Sequence, residues 1–189
     1  SATHLMHAAL KEVLGDLDRF LDLHSAKTET PAFGVSNGEA GIDEIAQKIG
    51  ISFVVESWYG LADKVIIGFL KLAGVPALSV DCGAHSDPDS PATALRIAMS
   101  FLRATGVIDD GRENNGVEAR RVHVVETITR PSNEFHFGTP WTGFQRLEPG
   151  TLVGRDRVTE IRAAQACYAV LPNEDVAVGE DVVYLAVDA

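Results

Sequence analysis

Apolar residues in the first hundred positions fall into short runs, and the runs alternate between two periods. From Thr3, an N-cap candidate, Met6, Leu10, Val13 and Leu17 recur at spacings of four, three and four, one face of a helix. The helix gives way near Gly15-Asp16 to a compact apolar run from Phe20 to His24, which predicts a strand. Ala26 to Gly34 has no period and reads as a loop. Ile42, Ile45 and Ile49 mark a short helix closed by Gly50, and Ile51 to Val55 a second strand running into Glu56-Ser57-Trp58-Tyr59-Gly60. Leu61, Val65, Phe69 and Leu72 give another helix, ended by Gly74. A third strand, Ala77 to Val80, ends in Asp81-Cys82-Gly83-Ala84-His85. Ser90-Pro91 then opens a helix whose buried stripe is read as Leu95, Ala98, Met99 and Leu102, stopping at Gly106.

Past residue 107 the pattern changes. Residues 108–116 are polar, contain glycine and read as a linker. Beyond them short β-like runs take over: Arg121 to Thr129, Glu134 to Phe137, Thr142 to Arg146, Val158 to Arg162, Ala166 to Leu171 and Val182 to Val187. Turn signals separate them, as at Glu148-Pro149-Gly150. The expected architecture is an α/β part over 1–107, its parallel or mixed sheet flanked by helices, followed by a small all-β barrel or sandwich over 117–189. A lipoyl- or biotinyl-carrying β module is excluded, because no lysine follows Lys71.

Composition narrows the function classes. With 16 Lys plus Arg against 27 Asp plus Glu the net charge is -11, which disfavours nucleic acid and anionic membrane surfaces as partners. No apolar run approaches a membrane span. Two cysteines, Cys82 and Cys167, both in apolar contexts, suggest quiet buried thiols in a reducing, cytoplasmic compartment. His4 and His7 share a helical face but have no third ligand nearby, and they are assigned to solvent. His123 and His136 are assigned to surface or core.

The candidate chemistry lies at strand ends. If the three strands of the first part run parallel, His24, Glu56 and Asp81 arrive together at one carboxyl edge, the usual ligand crevice of an open α/β sheet. Gly83 would let backbone approach a ligand there, and His85 would line the same mouth. Trp58 and Tyr59 are candidate pocket walls, with core packing as their other role.

The order of Asp22-Leu23-His24-Ser25, Leu78-Ser79-Val80-Asp81-Cys82-Gly83, the helix from Pro91 to Ala104 and a terminal β domain resembles the succinylglutamate desuccinylase/aspartoacylase family. These are zinc-dependent deacylases with a zinc carboxypeptidase-like fold. The resemblance spans nearly the whole chain and rests on two short motifs and their order. It implies one zinc held by an H-x-x-E pair and a later histidine, which His24 matches, with Asp22 supporting that ligand. It also implies that Asp81, where the family has glutamate, is the general base, and that the β domain sits near the active-site entrance. Its substrate would be an N-acyl amino acid or similar small amide. The chain is read as having no H-x-x-E anywhere, so two ligands are expected from an upstream segment, and the chain is read as the C-terminal portion of a longer protein. Apolar surface left without that segment predicts self-association into a homo-oligomer. The competing expectation is a metal-free module of the same fold that binds a small ligand or a partner.

Overall fold

The computed structural model describes residues 17–56 and 65–189. Among the described residues of the first part there are four strands and three helices: β1 Phe20–Ala26, β2 Phe33–Ser36, α1 Ile42–Lys48, β3 Phe53–Glu56, α2 Ile66–Leu72, β4 Ala77–Ala84 and α3 Ser90–Ala104. Seven further strands follow: β5 Arg120–Thr129, β6 His136–Phe137, β7 Gln145–Leu147, β8 Leu152–Arg155, β9 Glu160–Arg162, β10 Cys167–Val170 and β11 Asp181–Asp188. A mixed sheet of eight strands, in the order β1-β4-β2-β3-β5-β11-β10-β7, runs from one part into the other, and β6-β8-β9 form a smaller sheet.

Strand alternation divides the first part into two cores. Phe33, Val35 and Val55 face α2, where Ile67 and Leu70 meet them. Val54, Leu78, Val80 and Cys82 face the other way, onto Ile42, Ile45 and Ile49 of α1 and Ile97 and Phe101 of α3. Each fully buried aliphatic or aromatic side chain contributes about 1.5–3 kcal/mol, so these short helices are held by packing rather than by their own propensity. The face of α3 turned inward is therefore Ala94, Ile97, Phe101 and Ala104. Leu95, of the expected stripe, is 65% exposed. The apolar positions of α3 form two adjoining stripes one residue apart, and only the sheet beneath decides between them.

Two strands were not legible in the sequence. Phe33-Gly34-Val35-Ser36 is buried throughout, so it shows no alternation, and the expected loop is in fact β2. β8 also falls between expected runs. β2 decides the directions of its neighbours, because it pairs antiparallel to β4 and parallel to β3. β1 pairs parallel to β4. β3 consequently runs against β1 and β4, and the expected common carboxyl edge holds for two strands of the three.

Residues 108–116 contain no strand or helix but are tied down at several points. Arg103 pairs with Asp110 through two hydrogen bonds, Asn114 Nδ2 donates to the Ser100 carbonyl, and the Val117 amide donates to the Gln47 carbonyl. Among the described residues no helix is long and apolar enough to cross a membrane.

Candidate active site

Moving along β1 and β4 toward their carboxyl ends, the face turned to α2 changes character. It starts apolar with Phe20 beside Ala77, then becomes polar with Asp22 beside Ser79 and His24 beside Asp81. Side chains alternate along a strand, so these four polar groups project from one face of the sheet. His24 Nε2 lies 2.6 Å from Asp22 Oδ2. A carboxylate oxygen accepts, which puts the ring proton on Nε2 and leaves Nδ1 with a free lone pair, the form in which imidazole binds a metal.

Asp81 is partly buried, and desolvation pushes its pKa above 3.8. The neighbouring His24 and His85 oppose that rise, and Asp22 adds to it. A carboxylate held with increased proton affinity suits a group that takes up a proton and gives it back. His85 itself is turned to Ser25, whose Oγ lies 2.7 Å from His85 Nδ1, and its amide donates to the Ala26 carbonyl. It stands at the mouth on the far side of β4 from α2, together with Ser25 and Asp87 in a second hollow.

A cavity of about 320 Å³ opens on the α2 side, with Asp22, His24, Ser79 and Asp81 at its polar end. Among the described residues its remaining wall is Val35, three residues at the start of α2, Val65 to Ile67, and Leu171. Ser79 could have been found from alternation, since it lies two positions before Asp81. Leu171 could not, because it arrives from the end of β10, nearly a hundred residues away; it brings the C-terminal part to the cavity.

Glu56 is not part of this constellation. At the end of a strand running against β4, it lies beside β5, where it accepts from the Arg121 guanidinium, which also pairs with Asp43. Phe53, at the opposite end of β3, is the residue level with Asp81 through Phe33. Glu56→Gln is therefore expected to leave any chemistry at Asp81 unchanged and to shift stability by less than about 1 kcal/mol, measured by urea unfolding. Gly83 lies near the end of β4 at φ +115, where a Cβ would meet Ser90 Oγ at 2.8 Å, so glycine lets the strand pack against the start of α3. Trp58, Tyr59, His4 and His7 lie outside the described residues.

Contrary to the expectation that the chain lacks an H-x-x-E altogether, the sequence holds one such string, His123-Val124-Val125-Glu126, on β5. It comes after the histidine strand rather than before it, and three strands, β4, β2 and β3, separate it from β1. Residues three apart on a strand also point to opposite faces, so this pair cannot join His24 around one ion. Among the described residues no three His, Cys, Asp or Glu side chains are grouped to hold a metal. A catalytic zinc takes three protein donors, and the described residues offer His24 with a carboxylate on either side. By themselves they do not fit the ion. The two thiols, Cys82 and Cys167, are free and buried, and burial pushes both pKa values up, so neither is an activated nucleophile.

Residues 120–189 match the family model of the AstE/AspA barrel-sandwich hybrid domain. No curated protein sequence matches the chain. Among solved structures, the product-bound ectoine utilization protein EutE (DoeB) from Ruegeria pomeroyi superposes with a TM-score of 0.77 at 16% identity, covering 95% of this chain and 61% of its own. The succinylglutamate desuccinylase/aspartoacylase from Rhodobacter sphaeroides gives 0.71 at 14% identity, covering 95% and 61%. The succinylglutamate desuccinylase from Vibrio parahaemolyticus gives 0.69 at 18% identity, covering 96% and 59%. The chain thus spans about three fifths of the length of the structures it matches. Its residues 120–189 are similar to the AstE/AspA barrel-sandwich hybrid domain, and as a whole it shares the fold of the succinylglutamate desuccinylase/aspartoacylase structures.

Proposed function

We propose that this chain is the C-terminal portion of a cytoplasmic, zinc-dependent amide hydrolase, a deacylase acting on N-acyl amino acids or similar small amides. The observation that carries this reading is the parallel pairing of β1 with β4, which sets His24 directly beside Asp81 at the polar end of a cavity of ligand size. In this reading His24 supplies one zinc ligand through Nδ1, oriented by Asp22, and two further donors come from an upstream segment. Because the donors described here do not complete the ion's shell, only the protein's own groups are assigned steps.

Asp81 accepts a proton from the attacking water and returns it to the departing amine, a task that its raised proton affinity favours. Aspartate is one methylene shorter than the glutamate expected at this position. It sits in the interior of β4 and faces an apolar wall across the cavity. His85 lies at a separate hollow on the other side of β4, where it contacts Ser25.

The specific observation behind the second reading, a metal-free binding module, is the absence of a three-donor group among the described residues. Hydrolysis of a panel of N-acyl amino acids separates the two. A protein translated from the reading frame extended upstream of Ser1, and carrying an H-x-x-E there, is expected to release amine, and the 189-residue chain alone is expected not to. An upstream extension without that motif, or an extended protein that binds the panel without turnover, would leave the binding module as the function.

A further inference from the structure

The cavity beside Asp81 has two chemically distinct ends, and the difference bears on which substrates it admits. Among the described residues its polar lining is at the β1–β4 end, where two of the four groups, Asp22 and Asp81, are carboxyls. The other described lining residues are aliphatic: Val35 from β2, Val65, Ile66 and Ile67 from the start of α2, and Leu171 from the turn after β10. Val35 and Ile67 belong to the buried core beneath, so this wall is fixed rather than adaptable. Leu171 has φ +49, a backbone conformation that leucine rarely adopts. It lines the cavity despite that conformation, and its side chain is the contribution of the C-terminal β part to the wall. Among the described lining residues there is no arginine, lysine, amide or other side-chain donor at the aliphatic end.

We infer that the substrate group held against this wall is uncharged and aliphatic, such as a short branched acyl chain, in preference to a dicarboxylic acyl group of the succinyl type. The inference deepens the deacylase reading and rests on it for the word acyl. Its physical basis is independent of that reading. A distal carboxylate at the aliphatic end would lose its water without gaining a hydrogen bond, and it would face the like charges of Asp22 and Asp81. A branched alkyl group loses nothing there and covers five apolar side chains.

The test is a titration of the 189-residue chain with two small amides of similar size, isovaleramide and succinamate, followed by amide and methyl NMR shifts. Isovaleramide is expected to bind at least about tenfold more tightly, with shifts at Val35, Ile67 and Leu171. Leu171→Arg, which adds a cation at the aliphatic end without touching the polar one, is expected to narrow or reverse the preference. Equal or tighter binding of succinamate to the unaltered chain would overturn the inference, as would isovaleramide shifts that avoid these three residues. Preference for isovaleramide combined with no hydrolysis by the extended protein would support the specificity and remove only the deacylase reading. Hydrolysis accompanied by succinamate preference would do the opposite.

Discussion

Asp81→Asn is expected to lower amide hydrolysis by the complete enzyme at least about a hundredfold while raising the melting temperature at neutral pH. Both effects have one origin. Burial raises the pKa of Asp81 in the folded chain above 3.8, so the folded state binds this proton more tightly than the unfolded one. The resulting stabilisation is fully present below pH 3.8 and is lost as pH rises through the folded value. Above the folded value the protein carries a partly desolvated charge that asparagine does not. The charges facing it are those of Asp22, which adds to the strain, and of His24 and His85, which relieve it when protonated. Thermal unfolding of both forms from pH 7 downward is expected to show the advantage of asparagine shrinking as the pH approaches 3.8. An Asp81→Asn protein that is less stable at pH 7 would mean that the carboxylate is a paired structural anion. Unchanged turnover would remove it from the chemistry.

Phe33→Ala is expected to cost about 3–5 kcal/mol of stability, the usual range for truncating a fully buried phenylalanine. Phe33 has no exposed surface and lies on β2 between Asp81 of β4 and Phe53 of β3. Its ring meets Phe144 edge-on at 4.8 Å, and Phe144 stacks on Phe53 at 4.2 Å. Phe144 belongs to the C-terminal part, so this aromatic group joins the two halves of the chain as well as filling the core. Urea unfolding should show the loss as a lower midpoint. A cost below about 1 kcal/mol would mean that the ring's neighbours collapse into the space and that the halves are held together elsewhere.

Much of this organisation can be read from the residues, and the failures have identifiable causes. Ile42, Ile45 and Ile49 followed by Gly50 specify α1 because a helical period and a left-handed stop agree; Gly50 has φ +73. Asp22, His24 and Asp81 come together because two short apolar strands, separated by helical segments, pair in parallel. Glu56 was misplaced because apolar patterning carries no information about strand direction. The strand that reverses direction, β2, is four buried residues with no alternation to reveal it. The inward face of α3 was misread by one position because both of its stripes are apolar, and burial by the sheet below is a tertiary choice. Leu171 and Val35 entered the site through topology alone. The shift to an all-β C-terminal part, by contrast, was visible in the loss of helical period past residue 107, and the matched domain begins at Arg120.

His24 is proposed as one ligand of a set whose other members lie outside this chain. Calorimetric titration of zinc into the 189-residue chain, followed by metal analysis after gel filtration, tests it. Substoichiometric, weakly held zinc is predicted for this chain, rising to one tightly held ion when the upstream H-x-x-E segment is present. One tightly held zinc per chain without that segment would contradict the account.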